Sequence, residues 1–160
     1  DQRPYTRSDP ARLILWKGFC SVHQMFRPEH IDRFLAQYPD ARVISHPEAS
    51  FEVCQKSHYV GSTEFIIKTV AEAPPGSRWL VGTELNLVQR LAGRHRGEGK
   101  SIHFMSPTIC MCSTMFRIDP QHLLWTLENL LEGQVVNRIT VPAEEAQQAR
   151  AALQRMLEES

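Results

Sequence analysis

The feature that most restricts the fold of this chain is a repeated order of apolar run, polar or glycine-containing loop, and amphipathic stretch. Within 160 residues the order recurs roughly five times with short connections. Leu13 to Trp16 ("LILW") reads as a short buried strand broken by Gly18, with Cys20 in the loop beyond. Pro28 suits a first helical turn, and Ile31, Phe34, Leu35 and Tyr38 follow at helical spacing as far as Pro39-Asp40. "ARVISH" (Ala41 to His46) is the next strand, and a short helix from Glu48 to Lys56 is expected to bury Phe51 and Cys54. "HYVGS" gives a brief strand, after which Ser62 and Thr63 are N-cap candidates for a helix carrying Phe65, Ile66, Ile67 and Val70.

The same order continues beyond the turn "APPG" (Ala73 to Gly76). "RWLVGT" is a strand, "ELNLVQRLAG" a helix stopping at Gly93, "GRHRGEGK" a flexible basic loop and "SIHFM" a strand. Asp119-Pro120 opens a helix whose buried face is expected to be Leu123, Leu124, Leu127, Leu130 and Leu131. "VVNRIT" reads as strand-like, and Pro142 opens a last helix with Glu144 and Glu145 in its first turn. Strands alternating with helices predict an α/β fold, a mainly parallel sheet covered on both faces as an αβα sandwich. In such a fold the chemistry gathers at the carboxyl ends of the strands.

Composition removes several function classes. Lys plus Arg and Asp plus Glu balance at 18 each, so no global charge favours nucleic acid or an anionic membrane. No apolar run approaches the roughly 18 residues that span a bilayer. The N-terminal stretch "DQRPYTRSDPAR" is polar and unlike a secretory segment. With it, the four cysteines point to reduced thiols or metal ligands and to a cytoplasmic setting. Neither "GxGxxG" nor "GxxxxGK[ST]" occurs, so a nucleotide-binding glycine loop is unsupported.

The polar residues expected at strand ends each carry two readings. Cys110 and Cys112 form a C-x-C pair, weak as a metal signal beside the usual C-x₂-C pairs; either thiol also serves as a small buried hydrophobe. Cys20 lies in an equivalent loop, whereas Cys54 reads as a core residue. Pro47 holds His46 and Glu48 on either side of a rigid turn, as an acid/base pair or as a solvated His beside a capping Glu. Gly61-Ser62-Thr63 offers hydroxyls and helix N-terminal amides to a phosphate or carboxylate, or simply an N-cap. The basic run Arg94 to Lys100 reads as a solvated connection.

Taken in order, "WKGFCSVH", "ISHPE", "YVGST" with "IIK", "WLVGTE" and "ICMCSTM" followed by "LLWTLE" resemble quinolinate synthase. The resemblance runs from about Leu13 to the C-terminus and rests on five motifs in order. It implies a fold of pseudo-symmetric α/β domains and a [4Fe–4S] cluster held by three cysteines, one per domain. It also implies condensation of iminoaspartate with dihydroxyacetone phosphate to quinolinate, the pyridine precursor of NAD, with L-aspartate oxidase as a supplier of iminoaspartate. By the same resemblance Cys20 and Cys112 are cluster ligands, with Cys110 as alternative. His46 and Glu48 act in proton transfers, and His23, Ser62 and Thr63 contact substrate. On this reading residues 1–23 end a middle domain, 24–109 form a complete α/β domain, and 110–160 carry the cluster loop and closing helices. The N-terminal domain of the family has no counterpart here. The alternative is a non-catalytic truncated homologue that binds a metal or a protein partner.

Overall fold

The computed structural model describes residues 18–108 and 112–159. The expected strand at Leu13 to Trp16 and the thiol of Cys110 lie outside the described residues. The chain divides into two compact units, one ending at Ser113 and the other starting at Thr114.

The first unit is an α/β sandwich. Its parallel sheet has the order β2-β1-β3-β4, formed by β1 (Arg42–Ser45), β2 (Tyr59–Val60), β3 (Arg78–Gly82) and β4 (Ser101–Phe104). Alternation along the strands sends side chains to opposite faces, and each face has its own core. Ile44, Trp79 and Val81 pack with Ile66 and Val70 of α3 (Thr63–Glu72) and with Leu87, Val88 and Leu91 of α4 (Leu85–Arg94). Val43 and Leu80 point the other way, toward Ile31 of α1 (Pro28–Gln37) and Val53 of α2 (Phe51–Lys56). Helices therefore cover both faces of a parallel sheet, as the periodicity predicts.

Side-chain caps set where the helices begin, by satisfying amides that have no carbonyl partner within the helix. Ser50 Oγ accepts from the Val53 N–H at 3.4 Å, Ser62 Oγ from Phe65 at 3.2 Å and Glu84 Oε2 from Leu87 at 3.1 Å. The Ser50 cap corrects one expectation. With α2 starting at Phe51 rather than Glu48, Phe51 stands on the outer side of its first turn, 71% exposed, and Val53 fills the core instead. Cys54 is half-buried against that core, as expected, and burial pushes its thiol pKa up.

The basic run after α4 also departs from its reading as a flexible solvated loop. The helix continues through Gly93 to Arg94, and Arg96–Glu98 form a 3-10 turn. Lys100 is buried, its Nζ donating to the carbonyls of Val70 at 3.0 Å and Ala71 at 2.8 Å and pairing with Glu98 Oε2 at 2.8 Å. This lysine closes the C-terminal end of α3, where carbonyls lack amide partners. Gly76 ends the "APPG" turn with φ +77°, a left-handed conformation that glycine adopts without a steric penalty.

The second unit contains α5 (Pro120–Leu131) and α6 (Ala143–Glu159). Asp119 caps α5, its Oδ1 accepting from the His122 N–H at 2.7 Å. The leucine face expected to be buried is not: Leu123, Leu124, Leu127 and Leu130 are 48–59% exposed and Leu131 is 90% exposed. Helical periodicity determines which face is apolar, but burial needs a second surface. "VVNRIT" forms turn and coil rather than a strand, with Val135 and Ile139 exposed. A strand needs a neighbour for its backbone groups, and none of the pairings in the sheet involves this stretch.

Candidate functional site

β1 runs between β2 and β3, with Ser45 level with Val60 on one side and Gly82 on the other. The chain leaves β1 toward α2 on one face and leaves β3 toward α4 on the opposite face. Between them lies a switch point of the sheet, where α/β folds open a crevice beyond the strand ends. The loop His46-Pro47-Glu48 follows β1 and Thr83-Glu84 follows β3, so both reach this edge. Gly61-Ser62-Thr63 follows β2 next to it.

The β1 loop is a tight turn. The Ala49 N–H donates to the His46 carbonyl at 3.0 Å, and the His46 N–H to the Gly82 carbonyl at 2.9 Å. A Cβ on Gly82 would lie 2.9 Å from Met105 Cε and 3.0 Å from Ser45 Oγ, so a larger residue here would have to displace these two side chains. The Glu48 N–H donates to His46 Nδ1 at 3.3 Å, which leaves the proton of a neutral His46 on Nε2.

A 3-10 turn, His23–Met25, brings the remaining groups. His23 is 7% exposed, and its ring stacks on that of His46 with centroids 4.7 Å apart. His23 Nε2 lies 3.5 Å from Thr83 Oγ1, and Nδ1 lies 3.1 Å from Glu48 Oε2. The latter approach lacks hydrogen-bond alignment, so Nδ1 has no hydrogen-bond partner among the described residues. Burial, then the neighbouring His46, lowers the His23 pKa, and Glu48 opposes them. Gln24 Nε2 donates to the Glu48 carbonyl at 3.1 Å, tying the two loops together.

Cys20, half-buried one turn before His23, completes the group. One ligand atom each from Cys20, His23 and Glu48 lie within 4.8 Å of one another. Of the residues singled out in the sequence, the structure thus gathers Cys20, His23, His46 and Glu48. Ser62 and Thr63 stand exposed at the neighbouring strand end, with Ser62 Oγ engaged as the α3 cap. Cys112 is half-buried and is not in the Cys20 group. Thr83, buried against His23, and Gln24 had no role assigned from sequence. Thr83 was legible only as a strand-end position, and no local signal marks Gln24. A hollow of about 180 Å³ lined by His30, Arg33, Phe34 and Met105 contains none of the gathered residues. Convergent polar chemistry therefore marks the strand-end edge as the stronger candidate.

Comparison with known proteins matches residues 4–158 to the family described as quinolinate synthetase A protein. A quinolinate synthase of Acidobacterium capsulatum is 56% identical over 155 residues, covering 97% of this chain and 42% of that protein. Quinolinate synthases of Herpetosiphon aurantiacus and Rhodopirellula baltica are 53% and 51% identical, covering 92% of this chain and 39% and 37% of theirs. The chain thus spans about two fifths of the length of these relatives.

Proposed function

This chain belongs to the quinolinate synthetase A family, and on that premise we propose that it supplies part of the catalytic site of a quinolinate synthase. The reaction is condensation of iminoaspartate with dihydroxyacetone phosphate to quinolinate, in the route to NAD. The observation that carries the proposal is the convergence of Cys20, His23, His46 and Glu48 on the strand-end edge.

Ring closure and aromatisation require protons to be removed from carbon and delivered to departing oxygens. Glu48, half-exposed and 3.7 Å from His46 Nδ1, is the proposed base, and His46 Nε2–H the proposed donor. His23, held neutral by burial, orients a substrate carboxylate. Ser62, Thr63 and the first amides of α3 hold a phosphate or carboxylate, where the helix end favours negative charge. In the complete protein, residues 1–23 end one domain, 24–109 form the next, and 110–160 bring the second thiol loop. A first domain contributes the rest of the site. L-Aspartate oxidase is the proposed source of iminoaspartate, and the setting is cytoplasmic.

Family resemblance adds a [4Fe–4S] cluster held by Cys20 and Cys112, with Cys110 as alternative, and a third thiolate from the absent part. Such a cluster supplies a Lewis-acidic iron with an open position. The described residues alone do not fit it, because Cys20 is gathered with a nitrogen and an oxygen donor rather than with a second thiol. The same grouping favours the second reading, a non-catalytic metal-binding homologue.

The test is quinolinate formation from iminoaspartate and dihydroxyacetone phosphate by the complete protein containing this segment, purified anaerobically and reconstituted with iron and sulfide. Product that disappears in His46→Ala is expected. No product from a preparation with a full four-iron spectrum overturns the proposal and leaves the second reading.

A further inference from the structure

We propose that the hollow at the amino ends of β1 and β3 is a separate binding site, built to take a planar aromatic carboxylate. Arg42 and Arg78 begin these strands, whereas His46 and Thr83 follow their last residues. The hollow therefore lies at the opposite end of the sheet and uses none of the residues gathered at the strand-end edge. It stands whether or not the complete protein makes quinolinate.

The hollow has a volume of about 540 Å³, inside the roughly 300–1,000 Å³ of small-molecule sites. Its apolar part is three aromatic rings, from Tyr59 of β2, Phe65 of α3 and Trp79 of β3. Trp79 is 3% exposed and its indole N–H donates to Ser77 Oγ at 3.1 Å, so this ring is a fixed floor. The Tyr59 ring stands 5.7 Å from it at 40°. Phe65 lies against Gly61, where a Cβ would fall 2.2 Å from Phe65 Cδ1, so the absence of a side chain at Gly61 gives the ring its place. Tyr59 and Phe65 belong to neither core, and both are exposed. Two open rings beside a buried third offer faces and edges on which a flat ring stacks.

The rim supplies the charge. Arg42 is in register with Trp79, which puts the two side chains on one face of the sheet. The Arg42 guanidinium has no ion-pair or hydrogen-bond partner among the described residues. Arg78 covers the Tyr38 ring at 4.0 Å, which holds the face of its guanidinium and leaves the N–H edges available. Two acids line the same hollow, Asp40 and Glu72, and Glu72 is matched by Lys68 Nζ at 4.0 Å. Asp40 is left against two guanidinium groups, so the rim favours an anion. A guanidinium fork suits a carboxylate, which it meets with two parallel N–H donors. An aliphatic anion would leave the rings uncovered, and a neutral aromatic would leave the fork unmatched.

The test is isothermal titration calorimetry of the complete protein containing this segment with 2-naphthoate, a planar aromatic carboxylate. Saturable binding is expected. 2-Naphthylmethanol, which lacks the charge, and hexanoate, which lacks the rings, should each bind at least tenfold more weakly. These three probes test the claim on the unaltered protein, so it does not rest on any variant folding. Arg42→Gln should weaken 2-naphthoate about tenfold or more, as expected for a lost hydrogen-bonded charge pair. Arg42→Lys, which keeps the charge without the fork, should fall between parent and Gln. Tyr59→Ala should weaken it roughly 2–10-fold, the usual share of one stacked ring. Glu48→Gln, at the other end of the sheet, should leave 2-naphthoate binding as in the parent. Binding that does not saturate, that is equally tight for 2-naphthylmethanol, or that Arg42→Gln leaves unchanged overturns the proposal.

Discussion

The His23 and His46 rings stack at 4.7 Å and 30°, although one precedes α1 and the other follows β1. Two imidazolium ions at this separation repel, and burial adds to the cost of charging the inner ring. Burial first and His46 second lower the pKa of His23. Glu48 Oε2 lies near both rings, 3.1 Å from His23 Nδ1 and 3.7 Å from His46 Nδ1.

Replacing Glu48 by Gln keeps the shape and removes the base. In the complete enzyme kcat for quinolinate should fall by about 10²–10⁴-fold, the usual share of a positioned base. KM should change less, since Glu48 is assigned to proton transfer rather than to holding substrate. Steady-state kinetics of the variant and parent provide the check. A KM effect with kcat preserved would move Glu48 to a binding role.

Lys100 is buried and meets two carbonyls of α3 and the Glu98 carboxylate. Lys100→Met preserves the apolar stem and strands these acceptors. A loss of about 1–3 kcal/mol is expected, the cost of unsatisfied buried polar groups. Urea unfolding followed by circular dichroism measures it, and an unchanged midpoint would return the segment to a solvated loop.

Glu98 links stability to pH. Hydrogen bonds from Lys100, the larger influence, and from His95 hold its carboxyl below the usual glutamate range. A folded pKa below the unfolded value, about 4.3, means the charged form favours the folded state. That contribution is present above the unfolded pKa and is lost as pH falls through the folded one. The urea midpoint should therefore drop on acidification through this range, and Glu98→Gln should flatten the drop. An identical slope in parent and variant would refute the linkage.

Leu91 and Leu131 separate true core from apolar face. Leu91 is 2% exposed on α4 and Leu131 90% exposed on α5. Leu91→Ala should cost about 2–5 kcal/mol, and Leu131→Ala should stay within about 0.5 kcal/mol. Thermal melts of the two variants test the contrast directly.

Much of the architecture was legible locally. The spacing of Ile31, Phe34 and Leu35 placed α1, and Ser62, Asp119-Pro120 and the "APPG" turn placed boundaries, because caps and turns act over a few residues. What failed was nonlocal. Phe51 is on the helix predicted for it but faces out, because the cap at Ser50 sets the rotation of α2. Lys100 looked like part of a solvated basic run because its partners, Val70 and Ala71, are about thirty residues away. The α5 leucines are arranged as a core face, yet exposure depends on a covering surface that periodicity does not specify.

The same division holds at the site. The sequence by itself determined the alternation that makes a parallel sheet, and it placed His46, Glu48 and the Gly61-Ser62-Thr63 cap in loops at strand ends. Period and turn chemistry are local properties of the chain. Only the tertiary structure decided that β1 lies between β2 and β3, and hence which loops share a crevice. Strand pairing then brought Thr83 to His23 across sixty residues and joined Cys20 to a nitrogen and an oxygen donor rather than to a second thiol. That choice rests on long-range pairing and burial, which no short window of sequence encodes.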